Sequence, residues 1–411
     1  MDFDDTPEEA IFRREVRAFL NTHASPKSPS SRGLRRRFIR DAADLAAAKA
    51  WQGKKAAAGF AAITWPKDLG GRGGTAIEQV IYNQEEADFD VQRGAFEIGL
   101  GMCVPTLMKY GKPQQLKRYV APALRGEEIW CQLFSEPSAG SDLAGLRTRA
   151  VRDGDDWVIN GQKIWTSGAH FCDFGIIVTR TDPNAQKHAG LTFFFLDMKS
   201  KGVEVRPIKQ ISGAANFNEV FFADVRIPDE QRLGAVGDGW KVSLTTLMNE
   251  RLAVGDNTGP AVEDLVDLAR GLDLDDAPAL RNGAVREKLA DWFVQSQGVK
   301  LTKFRTMTAL SRGQTPGPEA SITKLVSAKQ GQDIAAFAVD LLGMAGAVTD
   351  TELSPMHAWF QQAVLQAPGL RIAGGSDEIL RNIIAERVLG LPADVRVDKD
   401  VPFNALPTGA R

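Results

Sequence analysis

The feature that most constrains this chain is a change of hydrophobic period that happens twice. From about Ile129 the apolar residues stop recurring at helical spacing and gather into short β-rich runs. Phe174–Thr181, Leu191–Met198, Val203–Ile208 and Phe217–Ile227 are such runs, parted by Gly, Pro and Asp. Asn160-Gly161, between Trp157-Val158-Ile159 and Lys163-Ile164-Trp165, predicts a hairpin turn. Together these runs predict an all-β block of about a hundred residues. A strand pattern cannot settle as a helix or the reverse, so the chain is expected to be helical, then β, then helical again.

The flanks carry their own punctuation. Thr6-Pro7-Glu8-Glu9 reads as an N-cap, a proline in the first turn and acidic residues beside it, ahead of Ile11, Phe12, Val16, Phe19 and Leu20. A basic Ser/Pro-rich connector, Ser25 to Arg37, reads as a solvated loop before an Ala-rich helix. Pro66 and the glycines Gly70, Gly71, Gly73 and Gly74 mark another loop, and Ile77–Asp88 and Gln114–Leu124 read as helices. After Gly237-Asp238-Gly239 the helical period resumes with an apolar stripe of Leu244, Leu247, Met248 and Leu252. Leu289, Trp292 and Phe293 seed the next helix. A hinge from Gly313 to Pro318 precedes a long Ala-rich helix to Leu342. The last helix starts near Ser376-Asp377, repeats Leu380, Ile383, Ile384 and Val388, and stops at Gly390. The expected class is α+β, in three parts: a helical domain over 1–128, a β-barrel or sandwich over 129–236 and a helical bundle over 237–411.

Composition enters by exclusion. Among 411 residues, 50 Lys+Arg against 52 Asp+Glu leave a formal charge of −2, which does not suit a chain built to hold nucleic acid or anionic membrane. Cys103, Cys131 and Cys172 form no C-x-x-C, and His23, His170, His188 and His357 lack metal-ligand spacing, so no metal site is expected. The start, Met1-Asp2-Phe3-Asp4-Asp5, is acidic where a signal peptide is basic, and no apolar run approaches a membrane span. A cytoplasmic location is the expectation.

Two segments of the β block could carry chemistry. Leu133-Phe134-Ser135-Glu136-Pro137-Ser138-Ala139-Gly140-Ser141-Asp142 is a Ser/Gly-rich turn able to present N–H groups and hydroxyls to a polar or anionic ligand. Turns of this kind more often only cap strands. Gly161-Gln162-Lys163-Ile164-Trp165-Thr166-Ser167-Gly168 places an indole beside hydroxyls, which suits a planar ring. Taken alone, Trp165 reads better as a core residue.

Taken together, Ser135-Glu136-Pro137-x-Ala139-Gly140-Ser141-Asp142 and Asn160-Gly161-Gln162-Lys163-x-Trp165 closely resemble the flavin-binding segments of the acyl-CoA dehydrogenases of lipid metabolism. The likeness extends to Trp65-Pro66 with its glycine loop, Gly126-Glu127, Gly234–Gly239 and Gly375-Ser376-Asp377-Glu378-Ile379. It implies the three-domain fold with a C-terminal four-helix bundle, and FAD as cofactor. Phe134, Ser135 and Ser141 would line the flavin ring and phosphate region. Trp165 would pack on the ring, Ser167 would hydrogen-bond near its N5, and Ser376 and Glu378 would touch the cofactor from the C-terminal helices.

The same resemblance implies proton abstraction from Cα of an acyl-CoA thioester while hydride leaves Cβ. Many family members carry the base at the position held here by Gly374, in Arg371-Ile372-Ala373-Gly374-Gly375-Ser376. Isovaleryl- and long-chain-type members carry it in a Glu-Arg-Leu sequence, and this chain has Met248-Asn249-Glu250-Arg251-Leu252. The likeness therefore assigns Glu250 as base, with Arg251 steadying the site and substrate contacts at Ser141, Arg251, Gly374 and Gly375. By periodicity alone, Glu250 would be a solvated glutamate. The small residues Ala373 and Gly374 leave volume for a branched, cyclic or bulky acyl group.

Two segments depart from the family. Arg270-Gly271-Leu272-Asp273 lacks a following Phe-Gly, and Asp340-Leu341-Leu342-Gly343-Met344-Ala345-Gly346 stands for Gln-x-x-Gly-Gly-x-Gly. Arg270 and Gly343 are thus implied cofactor contacts with altered surroundings on the side that would clasp a partner subunit's FAD. Three readings follow. One is a homodimeric or homotetrameric dehydrogenase passing electrons to an electron-transfer flavoprotein. The second is the catalytic subunit of a hetero-oligomer, and the third a same-fold flavin monooxygenase or oxidase.

Overall fold

The computed structural model describes residues 5–27, 39–92, 94–253, 259–274, 276–311, 317–395, 398 and 400–406, with backbone alone at 250–253, 307 and 310–311. Most of the basic connector and of the Gly313–Pro318 hinge lies outside these residues. The elements begin with α1 (Pro7–His23), β1 (Ser25–Pro26), α2 (Ala42–Ala57), α3 (Ala76–Glu86), β2 (Phe89–Asp90), α4 (Val104–Tyr110) and α5 (Pro113–Leu124). Then come β3 (Trp130–Leu133), β4 (Arg149–Asp153), β5 (Asp156–Ser167), β6 (Phe174–Arg180), β7 (Leu191–Asp197), β8 (Val203–Ile208), β9 (Phe217–Pro228) and β10 (Arg232–Leu233). The chain continues through α6 (Gly239–Ala253), α7 (Val262–Gly271), β11 (Asp273–Leu274), β12 (Ala277–Pro278), α8 (Gly283–Ser311), α9 (Ala320–Leu341), α10 (Trp359–Leu370) and α11 (Asp377–Ile383).

These elements form two compact units that do not follow chain order. One comprises Met1–Arg35, Thr75–Asp90 and Val254–Ala393; the other comprises Arg36–Gly74, Val91–Ala253 and Asp394–Arg411.

In the helical unit, α1 starts as its sequence predicts. The Thr6 hydroxyl accepts from the Glu9 N–H at 3.2 Å and the Glu9 carboxylate accepts from the Thr6 N–H at 2.8 Å. Phe12, Val16, Phe19 and Leu20 are buried, whereas Ile11 falls off the stripe and is exposed. Arg13 bridges Asp5 (2.6 Å) and Glu85 (2.7 Å), locking α1 to α3. The long α8 packs on α3, α7 and α9, and α10 and α11 pack on α9. Leu265, Leu289, Trp292, Ile334, Ala338 and Phe360 make up much of the core. Phe293, grouped by sequence with Leu289 and Trp292, instead faces outward.

The sheet unit is built on strand order β10-β7-β6-β4-β5-β9-β8, with β3 parallel to β6. Nearly every residue of β6 and β7 is buried, which is why Leu191–Leu196 reads as one apolar run. Phe193 and Phe195 enter a core shared with Val104 and Leu107 of α4 and with Val120 and Leu124 of α5. Phe194 and Leu196, one residue out of phase, enter the opposite core with Ile159, Val220 and Val225.

Two expectations fail here. Asn160-Gly161 is not a turn: β5 runs unbroken through it for 12 residues. The turn is Gly154-Asp155, where Gly154 has φ +64 and β4 pairs back on β5 from Asp153↔Asp156. Opposite Asn160 the partner strand β9 carries an extra residue, Asp224, at φ +51. The Asn160 side chain donates to Asp224 Oδ1 (3.0 Å) and accepts from the Asp224 N–H (3.0 Å). The Asn-Gly signal therefore marks a bulge. Gly161, at φ +151, is needed because a Cβ there would stand 2.7 Å from Thr148 Cα. The second failure is α6. Its buried face is Val242, Ser243 and Thr246, while Leu244 and Met248 of the predicted stripe are exposed.

Candidate active site

The Ser135 turn and the Trp165 segment are held together by a buried ion pair. Lys163 is 0% exposed in its side chain and Glu136 4%, and their Nζ–Oε1 distance is 2.9 Å. The Lys163 ammonium also donates to the Phe134 carbonyl at 2.9 Å. The Glu136 carboxylate accepts from the backbone N–H of Arg147 (2.6 Å) and Thr148 (2.9 Å). Burial raises the Glu136 carboxyl, yet Lys163 and these N–H donors outweigh it and hold it below the ordinary range. Burial draws the Lys163 ammonium down, offset in part by Glu136. The Ile164 N–H donates to the Ser135 carbonyl at 2.9 Å, so both segments move as one piece.

Two residues past Lys163, β5 bulges. Between Lys163↔Val220 and Thr166↔Asn218 it carries one residue more than β9, and that residue is Trp165 at φ +60. A bulky residue in the left-handed region costs on the order of 1–3 kcal/mol and persists only where its surroundings enforce it. Thr166 is buried, and the bulge turns Trp165 outward. The indole is 56% exposed, with Phe217 edge-on at 6.2 Å and 80°. Trp165 is therefore no core residue, which corrects the reading its composition favours in isolation. Ser167 follows at the strand end, paired with Phe217.

Phe134 is buried against Phe193 at 5.8 Å, and Ser141 is exposed beside Asp142. Among the described residues the hydroxyls of Ser135, Ser141 and Ser167 make no side-chain hydrogen bond to protein. An uncovered indole with free hydroxyls on one rigid piece fits a flat polar cofactor such as a flavin. Glu136 and Lys163, read in the sequence only as motif letters, are the residues that build this piece. The spacing of 27 positions gave no sign of their contact.

Glu250 and Arg251 occupy the last turns of α6, and their side chains lie outside the described residues. Upstream on the same helix, the Thr246 hydroxyl pairs with that of Thr106 at 2.9 Å, so α6 packs on α4 at that turn.

The other assigned residues belong to the helical unit. Ser376 N-caps α11, accepting from the Ile379 N–H at 3.4 Å, and Glu378 is exposed in the first turn. Gly374 has φ +66 and Gly375 φ +91, a backbone that disfavours any side chain. This loop is clamped by Arg371 on Asp377 and by Lys324, which donates to the Gly375 carbonyl at 2.7 Å. Arg270, in the last turn of α7, is spent on an exposed pair with Asp267 at 2.8 Å. Gly343 takes φ +57 just past α9, the left-handed residue that ends a helix, and Met344 beside it is 93% exposed.

Comparison with known proteins places the chain in a class. Residues 6–127, 131–225 and 237–389 match the N-terminal, middle and C-terminal domain models of the acyl-CoA dehydrogenases. The acyl-CoA dehydrogenase IpdE1 of Mycobacterium tuberculosis is 37% identical over 94% of this chain and 98% of its own length. The acyl-CoA dehydrogenase FadE34 of the same organism is 40% identical over 81% of this chain, which spans 45% of that longer protein. Among solved structures, the Tcur3481-Tcur3483 steroid ACAD superposes with TM-score 0.79 at 28% identity, covering 96% of this chain and all of that one. The ChsE4-ChsE5 complex from Mycobacterium tuberculosis does so at 0.77 and 26%, over 96% of this chain and all of that one. The chain belongs to the acyl-CoA dehydrogenase family, flavoprotein oxidoreductases that depend on FAD, and it has their three-domain fold. Among the described residues no helix is long and apolar enough to cross a membrane.

Proposed function

We propose that this chain catalyses α,β-dehydrogenation of an acyl-CoA thioester carrying a bulky, steroid-type acyl group, with Glu250 as the base. The observation that carries this reading is the left-handed backbone at Gly374. A carboxylate cannot be supplied there, and a side chain of any kind would be strained, so the base must come from elsewhere. Glu250 is the acidic residue that the family likeness offers, in the last turns of α6.

Glu250 takes the proton from the α-carbon, which the thioester carbonyl acidifies, and Arg251 steadies the site. Bound FAD supplies the hydride acceptor. Trp165 and Ser167 orient the ring, while Phe134, Ser135 and Ser141 hold the neighbouring part of the cofactor, with Ser141 also meeting substrate. Arg270, Gly343, Ser376 and Glu378 keep their place as cofactor contacts, and Gly374 and Gly375 as acyl-group contacts. The small residues at 373–375 and the name of the steroid structure at 28% identity support a wide acyl group. Electrons then pass to an electron-transfer flavoprotein.

A second reading makes the chain the catalytic subunit of a hetero-oligomer rather than of a homodimer or homotetramer. Met344, 93% exposed in the altered Asp340–Gly346 segment, supports it, as do the two-chain names of the similar structures. Anaerobic titration of the yellow protein with straight, branched and cyclic acyl-CoAs tests both. Bleaching by cyclic thioesters and not by short straight ones is expected. Bleaching only by short chains overturns the substrate class, and half a flavin per chain until a second polypeptide is added would establish the hetero-oligomer. Glu250→Gln should keep FAD and lose flavin reduction by about 10²–10⁴; reduction at the parental rate would place the base elsewhere.

A further inference from the structure

Residues 398 and 400–406 belong to the sheet unit and lie along the β6–β7 loop. Gln186 and Pro402 form a β-bridge. The N–H groups of Phe403 and Asn404 donate to the carbonyls of Ala185 and Pro183, each at 3.0 Å. Phe403 is 8% exposed, with the Arg180 guanidinium 3.7 Å above its ring centre and that of Arg147 at 5.3 Å. Arg180 is itself buried and donates to the carbonyls of Lys187 (2.7 Å) and Ala144 (2.6 Å). Lys187, also buried, splits its ammonium between Asp398 (2.6 Å) and Asp142 (2.7 Å).

The segment thus docks on the β6–β7 loop and on Arg180, and through Lys187 to Asp142, Arg180 to the Ala144 carbonyl and Phe403 to Arg147 it reaches the stretch that follows Ser141. We infer that residues 398 and 400–406 act as a strap that positions the Ser135–Leu146 turn for its ligand, with Lys187 and Arg180 as positioning residues. Arg180 holds the turn by its carbonyls and Phe403 caps Arg180 against water. Lys187 ties Asp142, next to Ser141, to Asp398 across 256 positions of sequence. The guanidinium is held between the Phe403 ring and the carbonyls of Lys187, Ala144 and, at 3.5 Å, Leu146, so release of the ring loosens its hold on the carbonyls too. This rests on the proposed function only in naming FAD as the ligand of the turn.

Hydrogen exchange of the full chain without FAD tests the strap, and FAD affinity tests its purpose. Phe403→Ala should quicken exchange of the 141–148 amides more than about tenfold. Asp398→Ala, a milder surface change, should do so about two- to fivefold. Amides of β7 should be unaffected, Glu204→Gln, which removes an exposed ion pair with Arg206 on β8, should change nothing, and Asp398→Glu should restore protection. FAD should dissociate more readily in the same order. Unchanged 141–148 exchange in Asp398→Ala and Phe403→Ala overturns the strap whatever the flavin does. Faster exchange with unaltered FAD affinity upholds the strap and removes this turn from the cofactor site.

Discussion

Replacing Lys163 by Met tests whether one ion pair holds the candidate site together. The two side chains are close in volume, so packing changes little. Two hydrogen bonds are lost, to Phe134 and to Glu136, each 2.9 Å long. The carboxylate then stays buried without a counter-charge, a situation that costs about 3–5 kcal/mol. The Phe134 carbonyl adds on the order of 1 kcal/mol or more. The N–H donors of Arg147 and Thr148 remain on the carboxylate and hold the total near about 3–5 kcal/mol. In thermal melting of the FAD-free chain at neutral pH this is a fall of roughly 6–20 °C. Adding Glu136→Gln should return most of it, because the charge is then gone as well. A Lys163→Met protein melting within about 2 °C of its parent would refute the reasoning, since solvent must then reach Glu136. A double variant no better than the single would refute it too.

Three further outcomes are expected. Gly161→Ala should destabilise by about 1–3 kcal/mol, since its Cβ would meet Thr148 at 2.5–2.8 Å; a neutral effect in urea titration would show that the bulge opens freely. Trp165→Ala should bind FAD more weakly and leave the melting temperature of the FAD-free chain almost unchanged, because the ring is exposed; unaltered flavin retention and spectrum would end its cofactor role. Acid should act through Asp229, whose carboxyl Arg232 holds well below the ordinary range with help from Trp157, against burial. A depressed carboxyl stabilises fully above its unfolded value of about 4 and loses this as pH falls toward the folded one. Asp229→Asn should therefore flatten the fall in melting temperature below about pH 4, and an equally steep acid limb would show that other carboxylates control it.

What local chemistry dictates was legible in the sequence. The Thr6 N-cap, the continuous apolar run of β7, the helix start near Ser376 and the order of helices and strands depend on neighbours a few residues apart. Motif spacing also carried the family, because a flavin segment is a short run of residues. Folding decided the rest through long-range contacts. Asn160-Gly161 has the letters of a turn, but a bulge on β9, 64 positions away at Asp224, keeps β5 straight. Trp165 and Leu244 look like core residues until the bulge and the packing of α6 turn them outward. Lys163 with Glu136, and Lys187 with Asp142 and Asp398, are ordinary surface letters in the sequence. Only the folded sheet unit removes water from around Lys163, Glu136 and Lys187, and it is that removal which makes their charges matter.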